Sequence, residues 1–185
     1  MGEFYTMKIA GLERQLPICP LNDKVSIAGF IIFGDVELTV AVSKELLKKV
    51  NEFDVILTPE AKSIPLAYEM SRQSGKPYVV ARKGLKAYMK EPISVEVTSI
   101  TTHNKQHLYL GLDEVNLMKG KKVLIVDDVI STGESLRAIE ELVHKAGGEI
   151  CGRMTVLAEG DAQSREDLIY LEKLPLFDRD GNVIA

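Results

Sequence analysis

The stretch that decides the fold reads Val123-Leu-Ile-Val-Asp-Asp-Val-Ile-Ser-Thr-Gly-Glu-Ser135. Lys121 to Val126 reads as a strand, and its unbroken apolar run suits one buried on both faces of a parallel sheet. Two adjacent carboxylates, Asp127 and Asp128, close it. From Gly133 to Lys145 the residues Leu136, Ile139, Val143 and Ala146 recur at helical spacing, and Gly147-Gly148 supplies a stop. Between strand and helix lie only small, mostly hydroxylated residues. Free backbone N–H groups at Thr132, Gly133 and Glu134, with the helix dipole behind them, favour an anion there. Ser131, Thr132 and Ser135 add hydroxyl donors, and Gly133 lets the backbone approach closely. Ligands of open parallel sheets sit at the carboxyl ends of strands. The two acids are therefore expected at a ligand edge rather than in the core, suited to the hydroxyls of a sugar that carries a phosphate. A nucleotide-hydrolase strand end is the rival reading, but no G-x-x-x-x-G-K-[ST] occurs in the chain.

Outward from this centre, the pattern repeats. Val25 to Phe33 reads as a strand. Glu37 to Val50 carries Leu38, Val42, Leu46 and Val50 at helical spacing. Phe53 to Leu57 is a short buried strand. Ser63 is placed to cap a helix that has Pro65 in its first turn and runs to Gly75. Pro77 to Ala81 is another apolar strand, so a βαβ unit with a right-handed crossover is expected. From Arg82 to Pro92 periodicity disappears, and four of eleven residues are Lys or Arg. Ser94 to Thr102 alternates and His107 to Leu112 returns, so 82–107 is expected to be a mobile loop with a hairpin-like base. Ile150 to Ala158 reads as a further strand broken by Gly152, followed by a turn-rich tail.

With 185 residues, 45% hydrophobic and 27% charged, the chain has the composition of one globular domain spanning 1–185. The longest near-apolar stretch is far short of the ~20 residues a membrane helix needs. Two cysteines, Cys19 and Cys151, form no framework, and no secretory leader is visible, so a reducing cytoplasm is expected. The net charge of −4 argues against general nucleic-acid binding. Residues 62–105, however, hold eight basic and three acidic side chains. A local basic zone in an acidic chain suits a small polyanion.

Taken together, these motifs resemble a known family. Ile125 to Ser135 is similar to the phosphoribosyl-pyrophosphate (PRPP) signature of type I phosphoribosyltransferases. Leu57-Thr-Pro-Glu-Ala-Lys-Ser63 sits where these enzymes place a pyrophosphate loop. Val79-Val-Ala-Arg-Lys83 resembles the strand ending in Arg-Lys of adenine and xanthine phosphoribosyltransferases. Ser94-Val-Glu-Val-Thr-Ser99 resembles their catalytic-loop hairpin, and Val156-Leu-Ala-Glu159 the strand beside the purine. The likeness covers roughly residues 35–170.

The resemblance implies an α/β fold: a mostly parallel sheet flanked by helices, a small N-terminal hood over about 8–34, and the loop at 82–107. It implies that Asp127 and Asp128 hold the ribose hydroxyls, partly through Mg²⁺ and water, with no metal ligated by the chain alone. Ile130, Ser131, Thr132, Gly133, Glu134 and Ser135 would cradle the 5′-phosphate, Glu134 through its N–H. Glu60, Ala61, Lys62 and Ser63 would hold pyrophosphate by backbone N–H groups, and Arg82, Lys83 and Lys86 would neutralise it. Glu96 matches a carboxylate placed to assist proton transfer at the purine, so Glu96 and Asp128 are the catalytic candidates. Phe33 and Glu159 are the base-binding candidates. Val97 stands where many adenine enzymes have Tyr, and Gly160 where xanthine enzymes have Lys. Purine salvage by a homodimer is implied, with adenine ranked above hypoxanthine and hypoxanthine above xanthine. A PRPP-sensing regulator is the other reading. DNA-binding relatives of that kind carry an extra domain for which no room is expected before the motifs.

Overall fold

Side chains alternate along the central strand. Val123 and Ile125 pack on one side of the sheet, Leu124 and Val126 on the other, and all four are buried. A strand clad on both faces is what the apolar run demanded. The computed structural model describes residues 4–97 and 106–184. In chain order the elements are β1 (Phe4–Ile9), β2 (Leu12–Pro20), β3 (Ser26–Ala28), α1 (Val36–Leu47), β4 (Val55–Pro59), α2 (Ile64–Ser74), β5 (Tyr78–Ala81), β6 (Ile93–Val97) and β7 (Gln106–Leu110). Then follow α3 (Leu112–Met118), β8 (Lys122–Ile130), α4 (Glu134–Lys145), β9 (Glu149–Glu159), a short 3-10 helix (Gly160–Ser164), β10 (Ile169–Leu174) and β11 (Leu176–Phe177).

Five strands form a parallel sheet in the order β10-β9-β8-β4-β5. One face packs on α4 and the β6–β7 hairpin, through Leu136, Ile139, Val143, Val95 and Leu108. The other packs on α1 and α2 and on a hood, through Leu38, Val42, Leu66, Met70, Ile9 and Phe30. The hood is a second, antiparallel sheet in the order β1-β2-β3-β11. This is the arrangement that the resemblance implied: a mostly parallel sheet flanked by helices, with an N-terminal hood.

Several expectations need correction. The strand expected over Val25 to Phe33 shortens to Ser26–Ala28. Beyond it, Gly29 donates its N–H to the Pro17 carbonyl and the chain turns toward α1. The β1–β2 hairpin, with its Ala10-Gly11 turn at positive φ, was not foreseen. Its outer side chains are exposed, so its apolar signal is diluted. The hood thus starts at Phe4 and borrows β11 from the far end of the chain. Gly152 does not break β9. The strand runs on, and the ladder skips Cys151 because Val123 pairs with Ile150 and Leu124 with Gly152. Gly147 and Gly148 stop α4 as expected, with Gly147 at φ +73° and both N–H groups bonded to helix carbonyls. The tip of the expected mobile loop, 98–105, with Thr98 and Ser99 of the hairpin motif, lies outside the described residues. Among the described residues no helix is long and apolar enough to cross a membrane.

One ion pair ties the hood to the body. Arg14 on β2 donates from Nε and Nη2 to Asp35 at 2.6 and 3.0 Å, and Nη2 also reaches Glu37 at 2.8 Å. Asp35 in turn caps α1 by accepting the Leu38 N–H. The Arg14 hydrogen bond holds the Asp35 carboxyl below its usual range, against the opposing effect of burial. A depressed folded-state pKa contributes stability above the unfolded value, lost as pH falls through the folded one. Arg14→Ala is therefore expected to cost about 1–2 kcal/mol at neutral pH. The deficit relative to wild type should shrink as the pH falls below about 4, where Asp35 protonates in the unfolded chain. Urea melts at pH 7 and pH 3 check both statements.

Candidate active site

Strand order reverses between β4 and β8: the chain next builds β5 on one side of that pair and β9 on the other. A crevice opens at such a switch point, outside the carboxyl ends of the strands. Here it is a cleft of about 290 Å³, lined by Glu60, Ala61, Lys62 and Ser63 after β4 and by Asp127 and Asp128 on β8. Ser135, Lys83, Val97, Gln106 and Leu108 complete its wall.

The loop between β8 and α4, expected to cradle a phosphate, adjoins the cleft. A small cavity of about 70 Å³ is lined by Asp127, Val129, Ile130, Ser131, Thr132, Gly133, Ser135 and Leu136. Gly133 sits at the N-cap of α4 with φ +79° and provides no side-chain cap. The first-turn N–H groups are thus left for a ligand or water. Glu134 begins the helix, and its side chain is not among the cavity's lining.

The two acids sit deeper than expected. β8 continues through them to Ile130, and Asp128 is only 3% exposed. The pairing with β9 carries the strand past the acids, so they are part of the sheet and not its end. Lys62 answers the buried charge, with Nζ 2.9 Å from Asp128 Oδ2. Desolvation, and then the neighbouring Asp128 charge, push the Asp127 carboxyl well above the usual carboxylate range. The Asp128 backbone N–H, which donates to Asp127 Oδ1 at 2.8 Å, works the other way.

Ser63 was expected to cap α2 by its side chain, and it does not. Its hydroxyl is buried, accepts from the Thr58 hydroxyl at 2.7 Å and donates to the Pro59 carbonyl at 3.1 Å. Thr58 is a supporting residue that the sequence reading missed, since a Thr inside a strand carries no motif signal. The Glu60–Ala61 peptide bond is cis. The Glu60 carboxylate accepts the Lys83 N–H at 2.9 Å and lies 3.6 Å from Arg82 Nη1. Of the three cations expected near pyrophosphate, Lys83 lines the cleft, Arg82 turns to Glu60, and Lys86 is not part of the lining.

A larger cavity of about 710 Å³ opens on the other side of the phosphate loop, between hood and sheet. Ser131, Thr132, Glu159, Gln163, Asn22 and Leu176 are among its walls. Burial raises the Glu159 carboxyl, and Lys62 partly offsets this. Phe33 stands 52% exposed on the turn before α1 and lines neither cavity. Glu96 is exposed, alternates with buried Val95 and Val97, and pairs in register with His107, away from the cleft lining. Gln106 was missed because nothing local marks which face of the returning strand looks inward.

Two carboxylates side by side, with no third His, Cys, Asp or Glu joining them as a cage among the described residues, suit one cation in particular. Mg²⁺ keeps several waters and binds through one or two carboxylates plus substrate phosphates. The pair therefore fits Mg²⁺ brought by a phosphorylated ligand.

Comparison with known proteins agrees with this geometry. Residues 35–176 match the model of the phosphoribosyl transferase domain family. A hypoxanthine/guanine phosphoribosyltransferase of Methanococcus maripaludis strain C6 is 34% identical over 161 residues, covering 83% of each chain. One from Methanocaldococcus vulcanius is 36% identical over 164 residues, covering 82% of this chain and 84% of that one. Among solved structures, an adenine phosphoribosyltransferase from Thermoanaerobacter pseudethanolicus superposes with a TM-score of 0.70 over 85% of this chain and 95% of that one, at 23% identity. A switch-point cleft, an acid pair and an uncapped helix N-terminus thus stand together inside the matched span, and the chain belongs to the type I phosphoribosyltransferase family.

Proposed function

We propose that this protein transfers the ribose 5-phosphate group of PRPP to a 6-oxopurine, hypoxanthine or guanine, giving a nucleotide and pyrophosphate. The observation that carries it is the meeting of three sites at one switch point: the phosphate loop, the Asp127–Asp128 pair and the loop Glu60 to Ser63. Displacing pyrophosphate at the anomeric carbon builds positive charge on the sugar and negative charge on the leaving group. The acids face the first, and Lys83 with the backbone N–H groups of 61–63 faces the second. Mg²⁺, when bound, adds charge neutralisation on the diphosphate.

The ranking of bases changes from the expectation. Adenine stood first, on the Arg-Lys strand and the Glu-containing hairpin. The structural neighbour named for adenine is only 23% identical and carries the fold alone. The relatives at 34% and 36% identity are named for hypoxanthine and guanine. The Glu159 carboxyl lines the larger cavity, and its oxygens can accept from the N1–H and N2–H edge that guanine presents. A site built to pair with one base edge rejects a base that leaves buried groups unpaired.

Equal concentrations of hypoxanthine, guanine, xanthine, adenine and orotate with limiting Mg-PRPP are expected to give mainly inosine and guanosine monophosphates on chromatography. Mainly adenylate would restore the first ranking. No product with any base, despite PRPP binding, would favour the regulator. Asp127→Asn combined with Asp128→Asn is expected to reduce turnover roughly 100-fold or more. The double variant should still fold, because it removes a disfavoured charge at Asp127 and leaves Lys62, half exposed, free to reach water. Circular-dichroism melts beside the rate assay check this.

We also propose a homodimer. An apolar groove of about 390 Å³ runs between α1 and α2, lined by Val36, Val40, Ile64, Tyr68 and Tyr78, with Val36 73% exposed. Analytical ultracentrifugation is expected to give twice the chain mass, and Val36→Glu with Tyr68→Glu to give the chain mass.

A further inference from the structure

A guanidinium from outside the signature rests on the phosphate loop. Arg165 follows the 3-10 helix that walls the larger cavity. A Cβ on Gly133 would lie 2.9 Å from Arg165 Nη1, so this side chain covers the backbone where α4 begins. Arg165 Nε donates to Asp167 Oδ1 at 2.9 Å and Nη2 to Asp167 Oδ2 at 2.8 Å. Glu140, on the second turn of α4, lies 4.0 Å from Nη2 and pairs with Arg153 of β9, which is itself 3.5 Å from Asp167. These pairs fix the plane of the guanidinium on one edge. Among the described residues its Nη1 donates to no acceptor.

An arginine fork whose one edge is held by a carboxylate, and whose other edge lies against an anion cradle, is arranged to take a second anion. Two acids and two arginines leave the network neutral, so its contribution is directed N–H donors rather than net charge. Arg165 and Asp167 belong to the segment beyond the base-side wall, and Glu140 belongs to the helix that carries the cradle.

The geometry points to Arg165 as a binding residue for the substrate's 5′-phosphate. This rests on the transferase reading for the identity of the anion. Neither the signature nor the resemblance includes Arg165.

The test uses ribose 5-phosphate and pyrophosphate as separate calorimetric titrants, both with Mg²⁺, on wild type, Arg165→Ala and Arg165→Lys. Arg165→Ala is expected to weaken ribose 5-phosphate about tenfold and to raise the KM for PRPP similarly. Pyrophosphate affinity and the KM for the base should stay within about twofold, because neither ligand reaches the cradle. Arg165→Lys keeps the charge but not the fork and should recover part of the loss. If Arg165→Ala does not fold, Arg165→Lys carries the test alone, with a smaller but still selective loss. Equal weakening of both titrants would mean a merely structural role and overturn the assignment, as would unchanged ribose 5-phosphate affinity. The titrations do not need turnover. Selective loss in Arg165→Ala, with no nucleotide formed by wild type, would keep Arg165 as a phosphate ligand and remove the transferase reading. Turnover by wild type with no selective loss would remove Arg165 alone.

Discussion

Strand β8 can be apolar through Val126 and acidic immediately afterwards only because strand order reverses beside it. Between β4 and β8 the crossovers diverge to opposite sides, so no connecting loop covers the ends of these two strands. That opening lets Asp127 and Asp128 continue the sheet without being sealed inside it. Asp128 is nonetheless almost wholly enclosed, and an isolated carboxylate there would be costly. Lys62, from the loop after β4, supplies its partner. The same constraint therefore fixes which loop must carry the cation.

Charge in the cleft is arranged in short pairs rather than as one basic surface. Lys62 faces Asp128, and Glu60 faces Arg82 and the Lys83 N–H. An anionic ligand entering here meets cations already turned toward carboxylates, and a cation meets carboxylates already paired. Under the proposed transferase reading, binding a diphosphate would be an exchange of partners, in which each protein charge keeps a counter-charge. This is less costly than exposing a bare lysine to a dry site. The middle of the sequence is strongly basic, yet of its expected contacts only Lys62 and Lys83 line the cleft.

The surrounding devices hold loops rather than cores. Thr58 and Ser63 lock the turn after β4 from beneath. Arg14 clamps the N-cap of α1, and so holds the hood against the body. Arg165, held by Asp167, lies over Gly133 at the start of α4. Of these, the Arg14 clamp joins segments 21 residues apart in the chain.

The sequence alone determined the parallel sheet, α1, α2 and α4, and the loop and acid pair between β8 and α4, because each is a local pattern: an apolar run, a helical period, a glycine at a helix start. Their order along the chain was enough to place them in one family. Only the tertiary structure decided that Asp128 is buried against Lys62, that Ser63 turns inward instead of capping, and that Arg165 lies on Gly133. It also decided that Glu96 and Phe33 stand away from the cleft, and that β11 joins the hood. These are contacts between residues distant in sequence, or choices of which face of a strand looks inward. Neither leaves a local trace. A charged side chain reads the same in a chain whether it ends in water or against a partner far along the sequence, as Lys62 does against Asp128.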